Sequence, residues 1–219
     1  MHPKDFYDQT ASVYDVRHES PPTRLVRKKE EALINRFASG TILDFGCGTG
    51  VHLEEGVIGL DISREMLKKA RKRSPFLAQA DENLPLKSNS IDTIFCFFTV
   101  FNMVDVQAVE KEFSRVLKPG GRILLSVASI HDHYGKTGKG FQVEGRKARL
   151  RLFEKGEIER IFGQFSLEHF SSLFSRVKPA WGSFREFSPL EKAKLAFESL
   201  SPAEKGGMYF MVFRKEKSE

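Results

Sequence analysis

Three glycines at alternate positions, Gly46, Gly48 and Gly50, follow directly on the apolar run Thr41, Ile42, Leu43 and Phe45. Glycines spaced this way make a cradle: without Cβ atoms the chain reaches positive φ and a ligand can lie against bare main chain. A second short apolar run, Val57-Ile58-Gly59-Leu60, ends in Asp61, and a carboxylate at the carboxyl end of a neighbouring parallel strand is placed to accept from a ribose diol. A second acid, Asp81, follows Phe76–Gln79 and belongs to the same rim, with a solvated loop aspartate as the alternative. No Gly-Lys-Ser/Thr follows the loop, and the third glycine of a dinucleotide fingerprint is missing, so both phosphate-cradling alternatives lose weight. Further on, Ser129-Ile130-His131-Asp132-His133-Tyr134 gathers two imidazoles. His131 and His133 are candidates for a base or a substrate contact, with a plain loop as the competing reading. Histidines one residue apart on an extended chain point to opposite sides and would not chelate one ion, so no metal site is expected.

These residues need a sheet to hold them at one edge. Thr41–Phe45 reads as a strand buried on both faces, Val57–Leu60 as the second, Phe76–Gln79 as the third, Ile91–Phe98 as a central fourth and Arg122–Ala128 as the fifth. Between them, Ser63 caps a helix through Met66, Leu67 and Ala70, and Asp105 caps another with Val106, Val109, Phe113 and Val116 inward. Ahead of the sheet, residues 3 to 18 form an amphipathic arm with Phe6, Tyr7, Ala11 and Tyr14 at helical spacing. From Thr23, a cap candidate, a second helix with Leu25, Val26, Ala32, Leu33 and Phe37 inward runs to Gly40; its basic residues Arg24, Arg27, Lys28 and Lys29 read as solvated. Only Val51 to Gly56 separate the cradle from the second strand, whereas a parallel crossover with its helix takes about 10 to 12 residues. One turn fits there, and either the amino-terminal helix covers the sheet instead or that face is open to a partner. Toward the carboxyl end a helix is expected over Glu157–Phe162, a strand near Leu167–Leu173, a helix opened by the capping box Ser188-Pro189-Leu190-Glu191 and reaching about Leu200, and a final strand Gly207–Phe213. Trp181, the single tryptophan, stands in a loop as lid or core.

Five stretches together carry a resemblance: Thr41–Gly50; Tyr7-Asp8-x-x-Ala11-x-x-Tyr14-Asp15; Gly59-Leu60-Asp61-Ile62-Ser63 followed by Met66-Leu67; Ala80-Asp81-Glu82-Asn83-Leu84-Pro85-Leu86; and Leu117-Lys118-Pro119-Gly120-Gly121. In that order the chain resembles the class I S-adenosylmethionine-dependent methyltransferases, in the methyltransferase type 11 branch that includes ubiquinone and menaquinone biosynthesis. The resemblance implies an α/β fold, a Rossmann-like doubly wound sheet of seven strands, mostly parallel with an antiparallel last strand and helices on both faces. It implies S-adenosylmethionine as cofactor, S-adenosylhomocysteine as product, and cofactor contacts at Asp44, Gly46, Cys47, Gly48, Thr49, Gly50, Asp61, Ile62, Asp81, Glu82, Phe97 and Phe98. The arm then folds over the cofactor, which makes Tyr14 a candidate wall of the substrate pocket, with a packing role as the alternative. One methyltransferase domain is expected over 1–219: a helical cap at 1–39, a cofactor-binding core at 40–128, a basic insertion at 129–155 as a substrate-recognition element, and the rest of the sheet at 156–219. The sequence departs from relatives at Cys96-Phe97 and Phe101-Asn102, where many carry small polar residues and a histidine pair.

Lysine and arginine number 35 against 29 acids, a net charge of +6 with a pI near 9.3, which permits an anionic partner without requiring one. The insertion concentrates such charge, and Arg149-Leu150-Arg151-Leu152 alternates like a half-exposed strand. RNA contact through Arg146, Lys147, Arg149 and Arg151 therefore stands beside a solvated hairpin. A small-molecule acceptor is the first expectation; a tRNA acceptor of the wobble-uridine carboxymethyl type and a non-catalytic cofactor-binding module are the alternatives. No Asn-Pro-Pro-Tyr or Asp-Pro-Pro-Tyr follows the fourth strand, which argues against exocyclic nucleobase methylation. Two cysteines, Cys47 and Cys96, read as small buried residues of a reducing compartment. The charged start MHPKDFYDQT and the lack of a run near 20 apolar residues lead to the expectation of a cytoplasmic protein with no membrane partner.

Overall fold

The computed structural model describes residues 2–98, 100–132, 141–143, 146–148, 150–181 and 183–216. Helices α1 (Pro3–Arg17) and α2 (Pro21–Phe37) precede strands β1 (Ile42–Phe45) and β2 (Ile58–Asp61). Helix α3 (Arg64–Ala70), β3 (Leu77–Gln79), β4 (Ile91–Cys96), α4 (Val106–Val116) and β5 (Leu117–Ala128) follow. A hairpin of β6 (Phe141–Val143) and β7 (Arg146–Ala148) leads to α5 (Lys155–Ile161), β8 (Phe165–Leu173), α6 (Pro189–Ala196) and β9 (Met208–Lys215). Seven strands form one sheet in the order β3-β2-β1-β4-β5-β9-β8. β1 to β5 pair in parallel, while β9 runs antiparallel to both of its neighbours. This is the expected doubly wound sheet with its antiparallel last strand. The order reverses between β1 and β4, and a crevice outside the carboxyl ends of strands opens at such a switch point.

Strand alternation divides the core between the two faces. Ile94 and Cys96 of β4 face one side with Leu43, Phe113, Ile123, Leu125, Ile158 and Phe162, under α4 and α5. Phe95 and Phe97 face the other with Val26, Leu33, Leu124 and Phe210, under α2. Residues 51–56 form turns and no helix. The gap is filled by Leu53, which packs with Cys47, Val57, Leu67 and Ala70, so a single buried leucine stands where a crossover helix would pack.

Three sequence expectations are corrected. Helix α2 starts at Pro21 with Ser20 as its cap, not at Thr23: the first helical turn needs no N–H from proline, so Pro21 and Pro22 open the helix. Along α2 the inward stripe takes Glu30 and leaves Ala32 exposed. Finally, residues 150–152 are not a strand. Phe153, fully buried against Phe101, makes only an isolated bridge to Ser129, and the Arg151 N–H donates to the Asn102 carbonyl at 2.8 Å.

Candidate active site

The glycine loop is shaped as its spacing implies. Gly46, Gly48 and Gly50 have φ of 76°, 55° and 87°, a region other residues rarely enter. A Cβ at Gly46 would stand 2.5 Å from Val100 and one at Gly50 2.9 Å from Leu53, whereas at Gly48 the nearest atom is Tyr14 Cε1 at 3.9 Å. Gly48 therefore borders open space. The loop is pinned to β2: Gly46 and Cys47 N–H both donate to the Leu60 carbonyl, at 2.7 and 3.0 Å. Gly48 N–H donates to Asp61 Oδ2 at 2.8 Å and Ser63 N–H to Asp61 Oδ1 at 2.7 Å. Burial pushes the Asp61 carboxyl up to about 6, against the opposing pull of those two N–H groups.

Two open cavities meet over this loop and share Tyr7, Gly46, Asp61 and Val100. One, enclosing about 860 Å³, is bordered by Ile62, Ala80, Asp81, Glu82, Met103 and Val104. The other, of about 650 Å³, is bordered by Tyr14, His18, Arg27, Glu30, Asp44, Cys47, Thr49, His52, Phe97 and Phe98. Every residue expected at the cofactor borders one of these spaces except Gly50, whose role is the turn itself. Asp81 is exposed and accepts from Asn83 N–H at 2.9 Å; Glu82 accepts from Asp105 N–H at 3.2 Å.

Helix α1 roofs the slot. Asp8 accepts from Ser63 Oγ at 2.6 Å and from Glu65 N–H at 3.2 Å, while Asp15 accepts from Thr49 Oγ1 at 2.6 Å. Tyr14 stacks on His18 at 3.9 Å, His18 meets Phe98 edge-on at 5.2 Å, and Phe98 meets Trp181 edge-on at 6.0 Å. Burial raises the Tyr14 phenol pKa, so at neutral pH the hydroxyl keeps its proton. Phe98 has φ of 50°, which ends β4 at Cys96 and turns the Phe98 ring toward the mouth; its N–H donates to Ser126 Oγ at 2.6 Å.

The inner end of the slot holds groups the sequence reading passed over. Glu30, 0% exposed, accepts from Ser126 Oγ at 2.5 Å, and its second oxygen lies 3.2 Å from His52 Nε2. Burial works against the His52 cation, but the hydrogen bond and charge of Glu30, with Asp44, carry its pKa above 6.5. Buried Asp44 is pushed up to about 7, mainly by desolvation. A signal for Glu30 existed: it occupies the stripe of Val26 and Leu33, where a carboxylate needs a partner.

Of the remaining candidates, His131 is not brought to the slot. His131 N–H donates to Ser129 Oγ at 3.0 Å, and the His131 side chain borders neither cavity. His133 and Arg149 lie outside the described residues, and of Arg146 and Lys147 only the backbone of β7 is described. The Arg151 guanidinium pairs with Glu157 at 2.6 Å and lies over the Phe153 ring. Trp181 Nε1–H donates to buried Asp132 at 3.2 Å, and its ring packs against the core beside Phe98 and Phe174. Among the described residues, no three His, Cys, Asp or Glu side chains are grouped to hold a metal ion, and no helix is long and apolar enough to cross a membrane.

Residues 43–125 match a family described as a methyltransferase domain. An uncharacterized protein of Methanocaldococcus jannaschii, MJ1252, is 35% identical over 134 residues, 59% of this chain and 53% of that protein. The ubiquinone/menaquinone biosynthesis C-methyltransferase UbiE of Syntrophotalea carbinolica is 31% identical over 140 residues, 56% of this chain and 59% of that one. The chain thus spans a little over half the length of these relatives. Among solved structures, a SAM-dependent methyltransferase of Thermotoga maritima superposes with a TM-score of 0.71 at 22% identity, covering 98% of this chain and 100% of the other.

Proposed function

We propose, on the premise that this chain is a class I S-adenosylmethionine-dependent methyltransferase by its matched domain and its fold, that it transfers a methyl group from S-adenosylmethionine to a small-molecule acceptor. The observation that carries this reading is the continuous slot over a bare glycine loop, with Asp61 at the β2 end and Asp81 and Glu82 beyond β3. Similar proteins named as quinone and malonyl-[acyl-carrier protein] methyltransferases favour an acceptor of that size class. In this reading Asp61 takes the ribose diol and Asp81 the adenine amino group. Ile62 and Val104 border the base, and Asp44 with the glycine loop lies along the amino-acid tail. Two buried cysteines free of disulfide bonds agree with a cytoplasmic setting.

S-adenosylmethionine, when bound, supplies a methyl carbon already activated by the sulfonium charge. What the chain adds is alignment and exclusion of water: the α1 roof, the Phe97 and Phe98 wall and the pinned loop hold the partners at near-attack distance. Tyr14 donates a hydrogen bond to whatever acceptor oxygen or nitrogen reaches it. No side chain is assigned as the base, and a nucleophile that arrives deprotonated needs none. The test is transfer of labelled methyl from S-adenosylmethionine into a metabolite extract and, in parallel, into total tRNA. Label in small molecules supports the reading, label in tRNA replaces it, and cofactor binding without transfer to either leaves a binding module.

A further inference from the structure

The slot has one end that the glycine loop does not explain. A parallel β-loop-α unit normally opens a helix straight after the glycines, and the N–H groups of its first turn bind an anion there. Here the chain from Val51 to Gly56 makes only turns, so that anion site is missing. In its place stand side chains from elements distant in sequence: Arg27 and Glu30 of α2 and His52 of the turn itself, all bordering the inner cavity.

Their arrangement is built. Glu30 is wholly buried and fixed on both oxygens, by Ser126 Oγ at 2.5 Å and His52 Nε2 at 3.2 Å. The His52 ring is set edge-on to Phe97 with centroids 5.2 Å apart, and Phe97 stacks on Phe95. Among the described residues none hydrogen-bonds His52 Nδ1; the Glu30 carboxylate takes the Nε2–H and favours the imidazolium, whose Nδ1–H can then donate to a ligand. Arg27 adds a fixed positive charge and, among the described residues, its ion pair is a long one with Glu19, at 3.4 Å. An adenosyl-amino-acid lying along the loop from Asp81 past Asp61 brings its zwitterionic tail to this end. Asp44 suits the ammonium, and the two cationic groups suit the carboxylate.

We propose that His52, held by Glu30 and flanked by Arg27, is the specificity-determining clamp for the α-carboxylate of the donor's amino-acid tail, in place of the absent helix N-terminus. It rests on the methyl-donor reading of the slot. The clamp makes the site demand an acid on the ligand, so nucleosides lacking one bind weakly.

Calorimetry with S-adenosylhomocysteine, decarboxylated S-adenosylmethionine and 5′-methylthioadenosine tests it. The wild-type protein should bind S-adenosylhomocysteine about tenfold or more tighter than either ligand without a carboxylate. His52→Gln should cut S-adenosylhomocysteine affinity about tenfold and leave 5′-methylthioadenosine within about twofold, closing most of the gap. Arg27→Met, on a partly exposed side chain, should act in the same direction if the histidine variant does not fold. Equal wild-type affinity for all three ligands overturns the clamp, and so does loss of affinity for all of them alike in His52→Gln or Arg27→Met, while the methyl-donor reading survives. If the folded wild-type protein binds none of the three, that reading itself fails.

Discussion

Asp61 accepts two backbone N–H groups, one from the glycine loop and one from the start of α3, which leaves its remaining lone pairs for a ligand diol. Asp61→Ala should therefore weaken S-adenosylhomocysteine binding by roughly 1 to 3 kcal/mol through lost charge-assisted hydrogen bonds. It should also lower the melting temperature of the free protein, because the Gly48 and Ser63 N–H groups lose their acceptor. Unchanged affinity in calorimetry would remove the diol assignment. Gly48 makes a different case. Its missing Cβ meets nothing closer than 3.9 Å, so Gly48→Val projects a side chain into the space a ligand would use, on a backbone already at φ 55°. Binding should be abolished, and a variant that still titrates would show that the ligand passes elsewhere. The glycines and Asp61 were legible because strand, turn and acid adjoin in sequence. The contact of Glu30 with His52 and Ser126 was not, since it joins α2, a turn and β5 across 96 positions; the stripe of α2 signals that Glu30 needs a partner, but no local spacing says which.

At the scale of elements, the strands, α3 with its Ser63 cap, α4 with its Asp105 cap and the Ser188 capping box of α6 follow from local pattern. What eluded local pattern is how α1 is secured. Asp8 and Asp15 reach across to Ser63, Glu65 and Thr49, 34 to 57 residues away, and polar residues on an exposed helix face look the same whether solvated or latched. Burial raises the Asp8 pKa, but its hydrogen bonds to Ser63, Lys4 and Glu65 outweigh that and hold it below the usual carboxylate value. Asp8→Ala should loosen the latch by about 1 kcal/mol, comparable to loss of a helix cap. The exposed Lys4 pair contributes little. Limited proteolysis should then cut between α1 and α2 several times faster than in wild type, and stopped-flow should show faster cofactor release. Equal cleavage rates in both proteins would mean that packing of Phe6 alone holds the arm.

For the molecule as a whole, the slot carries a pH signature that the surface does not share. Asp44 and Asp61 titrate near 7 and 6 against an ordinary 3.8, so the fold favours their protonated forms. The stability they contribute is complete below about pH 4 and is lost as pH rises through 6 to 7. His52, raised above 6.5, adds a term of the same sign, lost as pH climbs past its folded value. Asp92, Glu112, Glu168 and Glu191 behave oppositely, because Lys118, Arg115, Arg122 and Arg185 hold them below their ordinary values. Their stabilisation is present above about pH 4.5 and disappears as pH falls through the depressed values. The two sets leave a maximum near about pH 5 for the ligand-free protein, with melting temperature declining toward pH 8. A bound zwitterionic tail and ribose diol compensate the ionised acids, so saturating S-adenosylhomocysteine should flatten that decline; its affinity should rise as Asp61 and Asp44 ionise between about pH 5 and 7 and fall once pH climbs past the His52 value and the carboxylate clamp loses its charge. Asp44→Asn removes one titrating group and should reduce the slope in the free protein. A melting temperature that climbs steadily from pH 5 to pH 8 without ligand would mean that Asp44 and Asp61 are ionised throughout and that water, not a bound ligand, already solvates the slot.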